Sequence, residues 1–249
     1  MSKVRALLRT GAFVGFSAGI LAAYETRRAL TSESGQEALA NRYRQRLTDG
    51  LLRVFGAELL LGGQRRHLGG ALVVANHQSA LDIGVMLSVF QGVLVSRHDV
   101  ADWPLLGRLA KHGDTIFVDR EDRRSGAVAL REIRRRAREG RTVVAFPEGG
   151  TFPGDSVHEF HPGAFAAVRS LDVPIIPVGL AYSPAIPYER ESFGKHIAKI
   201  AARPSTRIAV QLGEPLRSGL DARAAASLAR TEVEALVLDA RRALEGDRR

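Results

Sequence analysis

The sequence predicts an α/β protein with a mostly parallel, mixed sheet flanked by helices. Short apolar runs alternate along the chain with longer stretches of helical pattern, which is the order of strands joined by crossover helices. Polar clusters follow several of these runs directly, as they do where strands end at a ligand-binding edge. With 249 residues, 45% of them hydrophobic and 25% charged, the chain is large enough for one domain with a full core.

Composition narrows the range of partners. The formal net charge is +9, and only four of the 36 basic residues are lysines, so the positive charge is almost all arginine. This balance favours an anionic partner, whether nucleic acid, acidic lipid headgroups, a phosphorylated substrate or an acidic carrier protein. The arginine bias is equally compatible with a GC-rich genome. The absence of cysteine excludes disulfides and thiolate metal sites.

The N-terminus carries an apolar run at 11–24 with basic residues on both sides. The run is shorter than the roughly 20 residues that span a bilayer. A signal peptide, a helix lying in the membrane interface and a buried core helix all remain open, and we favour the interfacial helix. The run includes Gly15-Phe16-Ser17-Ala18-Gly19, but a hydrolase nucleophile elbow needs a preceding strand, so we interpret these as small residues of a membrane helix. We therefore divide the chain into a membrane-associated segment with its connector, 1–50, and a main domain, 51–249.

The remaining elements follow in order. Residues 31–50 are polar and are expected to become helical at about 38–47, and paired glycines at 62–63 and 69–70 mark turns. We expect the first strand of the main sheet at 71–75. Further strands are predicted at 93–96, 115–118, 142–146, 174–180 and 208–212. Helices are predicted from 103 to Gly113, at 123–139, from 160–165 onward and at 221–244.

The helix predicted at 123–139 is strongly basic. Nine arginines and four acidic residues lie between Arg120 and Arg141. A solvated helix face and a landing surface for an anionic carrier or a membrane both explain this charge. The apolar stripe that would face the core consists of Val128, Leu130, Ile133 and Ala137.

A histidine and an aspartate stand where the first predicted strand gives way to a helix. His77 and Asp82 are separated by four residues and lie between two apolar runs. A neutral histidine can accept a proton near pH 7, and a neighbouring carboxylate can fix its tautomer. Alternatively, Ser79 and Asp82 have the spacing of a helix capping box, which explains both without chemistry but leaves His77 unexplained.

Two more polar clusters follow apolar strands, Asp-Arg-Glu at 119–121 and Pro-Glu-Gly at 147–149. If the strands are parallel neighbours, all three clusters meet at one edge of the sheet. That edge would hold a base, its orienting carboxylate, an arginine for an anion and a glutamate on a glycine turn. No serine or cysteine stands beside the base, which favours direct attack by a hydroxyl of the substrate.

Four ordered blocks resemble the glycerolipid acyltransferase family, which includes the 1-acylglycerol-3-phosphate acyltransferases. The resemblance covers about 50–215 and implies the glycerolipid acyltransferase-like form of the predicted fold. The blocks are Asn76-His77 with Asp82, Ile116-Phe117-Val118-Asp119-Arg120, Phe146-Pro147-Glu148-Gly149, and Val173-Pro174-Ile175-Ile176-Pro177-Val178.

The resemblance implies that His77 is the general base and that Asp82 holds it. The acyl donor would be acyl-CoA or an acyl carrier protein as co-substrate, with no cofactor and no metal. The acceptor would be a lysolipid, first of all 1-acyl-sn-glycerol 3-phosphate, giving phosphatidic acid. From the N-terminal apolar run we expect association with the lipid bilayer, at the cytoplasmic face of the inner membrane. The positions implied to bind the acceptor are Arg97, Arg120, Glu148, Gly149, Gly150 and Thr151, and backbone N–H groups near Gly149 and Gly150 would steady the oxyanion.

The chain departs from the common family pattern at two places. The third block usually continues Thr-Arg-Ser, whereas this chain has Gly150-Thr151-Phe152, and Arg97 stands where a lysine often lies. The chain also resembles bacterial members that acylate non-phosphate lysolipids such as lyso-ornithine lipid, which is the alternative acceptor. Two interpretations belong to other functional classes. One is an arginine-rich nucleic-acid-binding protein, but this sequence contains no basic motif interleaved with aromatic residues to support it. The other is a metallohydrolase built on His77, His158 and His161.

Overall fold

A computed structural model describes residues 2–63, 70–103, 105–119, 121–188, 191–217 and 219–246. The predicted Asp-Arg-Glu cluster at 119–121 is thereby interrupted: Arg120, one of the predicted acceptor-binding residues, lies outside the described residues. The strands are β1 (Ala57–Gly62), β2 (Leu72–Ala75), β3 (Val93–Arg97), β4 (Ile116–Val118), β5 (Val143–Ala145), β6 (Ile175–Ser183) and β7 (Thr206–Leu212).

Helices occupy most of the intervening chain, and a short 3-10 helix lies at His98–Asp102. They are α1 (Ser2–Ala29), α2 (Glu33–Val54), α3 (Leu81–Phe90), α4 (Leu106–His112), α5 (Arg123–Arg138), α6 (Gly163–Val168), α7 (Phe193–Ala202) and α8 (Ala222–Gly246).

The strands form one sheet in the order β1-β7-β6-β2-β5-β3-β4. Neighbouring strands are parallel except for β6 and β7, which are antiparallel. The predicted fold class, a mostly parallel mixed sheet flanked by helices, is confirmed. Because β2 and β5 are parallel neighbours, the residues that follow them emerge side by side at the same sheet edge.

Both faces of the sheet are covered, which explains the continuous apolar strands. In β2, Val73 and Ala75 join one core together with residues of α2, α3 and α7. Leu72 and Val74 point to the opposite core, which contains residues of α5, α6 and α8. The alternation of side chains along a strand therefore divides a single apolar run between two helix layers.

The sheet begins earlier in the chain than the sequence prediction placed it. Strand β1 precedes the predicted first strand and pairs with β7 at the sheet border. Gly56, at φ +64°, separates α2 from β1, where the sequence shows only a continuous apolar pattern. Helix α2 is also longer than the predicted 38–47 segment at both ends.

Helix α5 confirms the predicted basic helix and corrects its buried stripe. Ala129, Ile133 and Ala137 are its buried residues, at the four-residue spacing of one helix face. Val128 is 48% exposed, because it lies about 100° around the helix from Ala129. The N-terminus of α5 is capped by Asp122, whose carboxylate accepts the backbone N–H of Arg124 at 2.8 Å.

Helix α1 is 28 residues long, so the apolar run at 11–24 is only part of it. By length and composition α1 could cross a membrane, so the shortness of the run does not exclude a span. It packs through Phe13, Ser17, Leu21 and Tyr24, which are buried, while side chains such as Leu7 remain exposed. The Gly15–Gly19 pattern lies inside this helix, and the described residues before it, from Ser2 onward, are helical rather than a strand. The division into 1–50 and 51–249 stays a prediction.

Gly179 permits the close approach of α8 to β6. A Cβ atom at this position would lie 2.3 Å from the carbonyl carbon of Leu236 and 2.4 Å from the backbone nitrogen of Val237. We expect Gly179→Ala to lower the free energy of unfolding by about 1–3 kcal/mol, because backbone atoms must move apart. Gly126→Ala in α5 is the matched control: a Cβ there meets nothing within 4 Å, and the change should raise stability by about 0.5–1 kcal/mol. Chemical denaturation of both variants checks this, and equal midpoints would contradict it.

Candidate active site

A buried carboxylate organises the loop between β2 and α3. Asp82 is fully buried, and its Oδ2 lies 2.7 Å from Nδ1 of His77. The same oxygen accepts the backbone N–H groups of Gln78 at 2.7 Å and Ser79 at 2.9 Å. The other oxygen accepts the hydroxyl of Tyr182. Four donors therefore converge on a single buried carboxylate, as a buried charge requires.

This arrangement fixes the tautomer of His77. Because Asp82 is an acceptor, Nδ1 carries the hydrogen and Nε2 is left with a free lone pair. The imidazole is 15% exposed, borders a large pocket and stacks on Phe146 with ring centroids 4.1 Å apart. Among the described residues no hydrogen bond to Nε2 is found. The ring is therefore held on one side and can accept a proton on the other.

Tyr182 is a permanent donor to this carboxylate. It is fully buried at the end of β6, and burial, reinforced by the charge of Asp82, raises the pKa of its phenol well above the usual value. Tyr182 stays protonated throughout the pH range in which enzymes work.

The capping-box interpretation of Ser79 and Asp82 holds in part. The Asp82 carboxylate accepts the backbone N–H of Ser79 at 2.9 Å, as the acid of a capping box does. The Ser79 hydroxyl accepts the N–H of Leu81 at 3.4 Å, one residue earlier than in a standard capping box. The carboxylate also accepts the N–H of Gln78 and contacts His77, so it serves the loop that carries His77 as well as the start of α3.

Asn76 and Gln78 fasten this loop to β6. The Asn76 amide donates to the carbonyl of Leu180 at 3.0 Å and accepts its N–H at 2.8 Å. The Gln78 amide donates to the same carbonyl at 3.2 Å. Both side chains are buried, so these bonds to β6 hold the residues on either side of His77 in place.

Glu148 also acts on the His77 loop. One carboxylate oxygen accepts the backbone N–H of His77 at 2.7 Å, and the other accepts that of His158 at 3.0 Å. Burial raises the pKa of Glu148, and the two hydrogen bonds partly oppose this shift. With both oxygens engaged, the geometry favours a positioning role over the predicted contact with the acceptor.

The turn after β5 closes against the same loop. Gly149 has φ +80°, a conformation that favours glycine, and Gly149, Gly150 and Thr151 all line the pocket. The N–H of Phe152 donates to the carbonyl of His77 at 2.8 Å, and the Thr151 hydroxyl donates to the carbonyl of Tyr188 at 3.4 Å. Two of the three predicted clusters therefore meet.

Asp119, from the predicted cluster at 119–121, lies farther away. Strand β4 is the border strand, separated from β2 by β5 and β3, and Asp119 is not among the residues that line the pocket. The Asp119 carboxylate accepts the N–H of Glu121 at 3.0 Å. The expectation that all three clusters share one site is therefore supported for those at 77–82 and 147–149, and Arg120 lies outside the described residues.

Arg97 ends β3 at the pocket and is already paired. Its side chain is 64% exposed, and its Nε donates to the Asp99 carboxylate at 2.9 Å. The bond to Asp99 raises the pKa of Arg97 further above its usual range. Arg97 is therefore placed at the pocket, but with its charge compensated.

The pocket beside His77 has a volume of about 550 Å³ and is mainly apolar. It extends between α1, α2, α3 and α4, within the size range of sites that enclose a small organic ligand. Its apolar lining includes Leu51, Leu52, Leu87, Trp103, Leu106 and Leu109.

Sequence reasoning missed Tyr182 and a second buried histidine, His196 of α7. The Nε2 atom of His196 lies 3.0 Å from the hydroxyl of Ser79. Tyr182 gives a weak signal, as a polar residue near the end of an apolar strand, whereas nothing local marks His196. The proposed metal trio of His77, His158 and His161 finds no support, since the described residues contain no cluster of three His, Asp or Glu side chains suited to a metal.

The geometry can be compared with that of known proteins. A family model described as Acyltransferase matches residues 61–181. The lyso-ornithine lipid O-acyltransferase of Pseudomonas aeruginosa is 30% identical in an alignment that covers 96% of this chain and 94% of that protein. The chain belongs to the acyltransferase family.

Other members of the family match over a shorter length. The lyso-ornithine lipid O-acyltransferase of Rhizobium meliloti is 35% identical over 52% of this chain and 44% of its own length. The 1-acyl-sn-glycerol-3-phosphate acyltransferase of Neisseria gonorrhoeae is 30% identical over 47% of this chain and 46% of its own. The chain thus matches less than half the length of these two relatives.

A solved structure shares the fold. The crystal structure of the 1-acyl-sn-glycerophosphate acyltransferase PlsC from Thermotoga maritima superposes with a TM-score of 0.75. The superposition covers 96% of this chain and 97% of that chain at 21% identity. The mixed sheet, its helices and the N-terminal apolar helix are therefore the fold of this family.

Asp82→Asn tests the role of the buried carboxylate. The amide has the shape of the carboxylate but lacks its charge, so it no longer enforces the Nδ1–H tautomer of His77. We expect acyl-transfer turnover to fall by about 10²–10⁴-fold, the contribution of acid–base catalysis. Asp49→Asn is the matched control, since Asp49 accepts hydrogen bonds from Gln45 and Ser88 away from the pocket. Steady-state kinetics of the two folded variants check this prediction. Normal turnover in Asp82→Asn as well as in Asp49→Asn would contradict the proposed role of Asp82.

Proposed function

We propose that this protein is an O-acyltransferase that moves a fatty acyl group from a thioester to the free hydroxyl of a lysolipid. The observation that carries the proposal is the orientation of His77. Its Nδ1 is held by buried Asp82, and its ring borders an apolar pocket large enough for a lipid chain. Membership of the acyltransferase family and the names of the relatives support the same reaction.

In this mechanism Nε2 of His77 accepts the proton of the acceptor hydroxyl as its oxygen attacks the thioester carbonyl. Asp82 stabilises the imidazolium that forms, because its carboxylate is already bonded to Nδ1. The tetrahedral intermediate then expels the thiolate, which receives the proton from His77. One ester bond forms, one thioester bond breaks, and no acyl-enzyme is required.

The glycine turn is the proposed site of oxyanion stabilisation. The N–H of Gly149 already donates to the carbonyl of Phe146 at 3.2 Å. Of the two glycines, Gly150 therefore supplies the candidate donor, and it lines the pocket beside His77. A fixed backbone N–H stabilises developing negative charge without reorganisation.

Two acceptor headgroups fit the proposal. A phosphate headgroup, as in 1-acyl-sn-glycerol 3-phosphate, would use Arg120 and Arg97 as its clamp. An amino-acid headgroup, as in lyso-ornithine lipid, carries both signs of charge. It is favoured by the pairing of Arg97 with Asp99 and by the nearly full-length match to the Pseudomonas protein.

The N-terminal helix suits a reaction on lipid substrates. Helix α1 contributes Phe13 to the pocket and exposes Val4, Leu7 and Leu8 on its outer side. We propose that α1 associates with the bilayer at its cytoplasmic face, which would bring the pocket to the lipid. Residues 51–249 would then form the acyltransferase domain.

A product assay tests the proposed function. The purified full chain is given acyl-CoA or acyl carrier protein with vesicles that contain either lysophosphatidic acid or lyso-ornithine lipid, and products are identified by mass spectrometry. We expect an O-acylated lysolipid with one of the acceptors. His77→Ala should lower turnover by about 10²–10⁴-fold or more, because the general base is lost, and the variant should still fold. No product with either acceptor, or normal turnover of His77→Ala, would overturn the proposal.

Gly84→Leu tests whether the pocket holds the acyl chain. Gly84 lines the pocket, and a Cβ atom there meets only Leu52, at 3.7 Å, so a larger side chain can extend into the cavity. We expect the variant to prefer shorter acyl donors than the wild type in a competition among acyl-CoAs of increasing length. Gly126→Leu in α5, on the other side of the sheet, is the control. An unchanged order of preference in Gly84→Leu would exclude this pocket as the acyl site.

A further inference from the structure

A second hydrogen-bond network, centred on His196, contacts the loop that carries His77. His196 is fully buried in α7, and its Nε2 lies 3.2 Å from the backbone nitrogen of Ala80 and 3.0 Å from the hydroxyl of Ser79. A backbone N–H can only donate, so Nε2 is an unprotonated acceptor and Nδ1 carries the hydrogen. Nδ1 in turn donates to the carboxylate of Glu191 at 3.2 Å.

The neutral state of His196 agrees with its surroundings. Burial lowers the pKa of the ring, and the adjacent Glu191 only partly opposes that shift. Lys199 holds the second oxygen of Glu191 at 2.9 Å. The ring of Tyr188 stacks on that of His196 with centroids 4.4 Å apart, and the N–H of Tyr188 donates to the carbonyl of Gln78 at 2.8 Å.

Asp82 and His196 together accept the backbone N–H groups of three consecutive loop residues. Asp82 accepts those of Gln78 and Ser79, and His196 accepts that of Ala80. The shape of this turn determines how His77 meets Asp82. Ala80 lines the pocket, as do Tyr188 and Glu191, so the second network extends from the catalytic loop to the pocket wall.

Ser79, His196 and Glu191 also have the connectivity of a nucleophilic triad. Ser79 is fully buried and is not part of the pocket lining, and its partner nitrogen is shared with the Ala80 N–H. An attacking hydroxyl needs access to its substrate, so this geometry favours support of the loop over covalent catalysis.

We propose that His196, oriented by Glu191, is a positioning residue for acyl transfer, which holds the Ser79–Ala80 turn so that His77 meets the acceptor hydroxyl correctly. The inference rests on the proposed function. A displaced loop lowers kcat because misplacement of a catalytic group by about 1 Å can cost about 10²-fold. Substrate binding elsewhere in the pocket should change little.

Three histidine variants of the full chain test this role. His196→Phe keeps a ring for Tyr188 but loses the acceptor, and we expect kcat to fall about 10- to 100-fold with KM within about twofold. His196→Gln places an amide oxygen near the position of Nε2 and should restore most of kcat. His112→Phe, at a histidine that pairs with Glu25 outside the pocket lining, is the control and should keep kcat within about twofold. Normal kcat in His196→Phe, or an equal loss in His196→Gln, would overturn the proposal.

Hydrogen exchange separates this inference from the proposed function. The Ala80 amide should be protected in the wild type and in His196→Gln and should exchange faster in His196→Phe. If the wild type transfers no acyl group, the proposed function fails, and the exchange data still decide whether His196 holds the turn. If His196→Phe does not fold, Glu191→Ala replaces it, with a smaller loss of kcat and of Ala80 protection expected. Unchanged exchange at Ala80, or an acyl group covalently bound to Ser79 in the mass spectrum, would contradict the positioning role.

Discussion

The structure depends on the burial of one charged carboxylate among four donors. Removing Asp82 from water is costly, and the cost is offset only while His77, two backbone N–H groups and Tyr182 all remain bonded to it. That requirement determines the path of the loop after β2. It also leaves the far nitrogen of His77 as the one side of the ring that can act on a substrate.

The sheet brings this polar centre to an apolar cavity. Strand β2 lies between β6 and β5, so its loop receives Tyr182 and Leu180 from one neighbour and Glu148 from the other. The helices on the same face leave an apolar space beside His77. Electrostatic interactions are stronger where water is excluded, so a base at the wall of such a cavity suits a reaction between two lipid-like substrates.

Local sequence patterns predicted much of the fold and of the site, but they did not predict the contacts between residues far apart in the chain. The sheet class, His77 with Asp82 and the meeting with Glu148 followed from runs and spacings within a few residues. Tyr182 and His196 contact the loop across about a hundred positions of sequence, and no nearby pattern indicates such contacts. Strand β1 was missed because its apolar residues continue those at the end of α2, so the apolar pattern does not mark the change from helix to strand. The capping-box interpretation accounted for the bond between Ser79 and Asp82 but not for His77, because the same carboxylate also bonds residues of the preceding loop.

The most direct test of the central claim is the tautomer of His77. Nitrogen-15 spectra of the imidazole, assigned by comparison with a His77→Gln variant, distinguish a protonated ring nitrogen from a bare one in the neutral ring. The account predicts a hydrogen on Nδ1, shifted downfield by its bond to Asp82, and an unprotonated Nε2. A hydrogen on Nε2 of the neutral ring would contradict it, because the base would then have no lone pair directed at the acceptor.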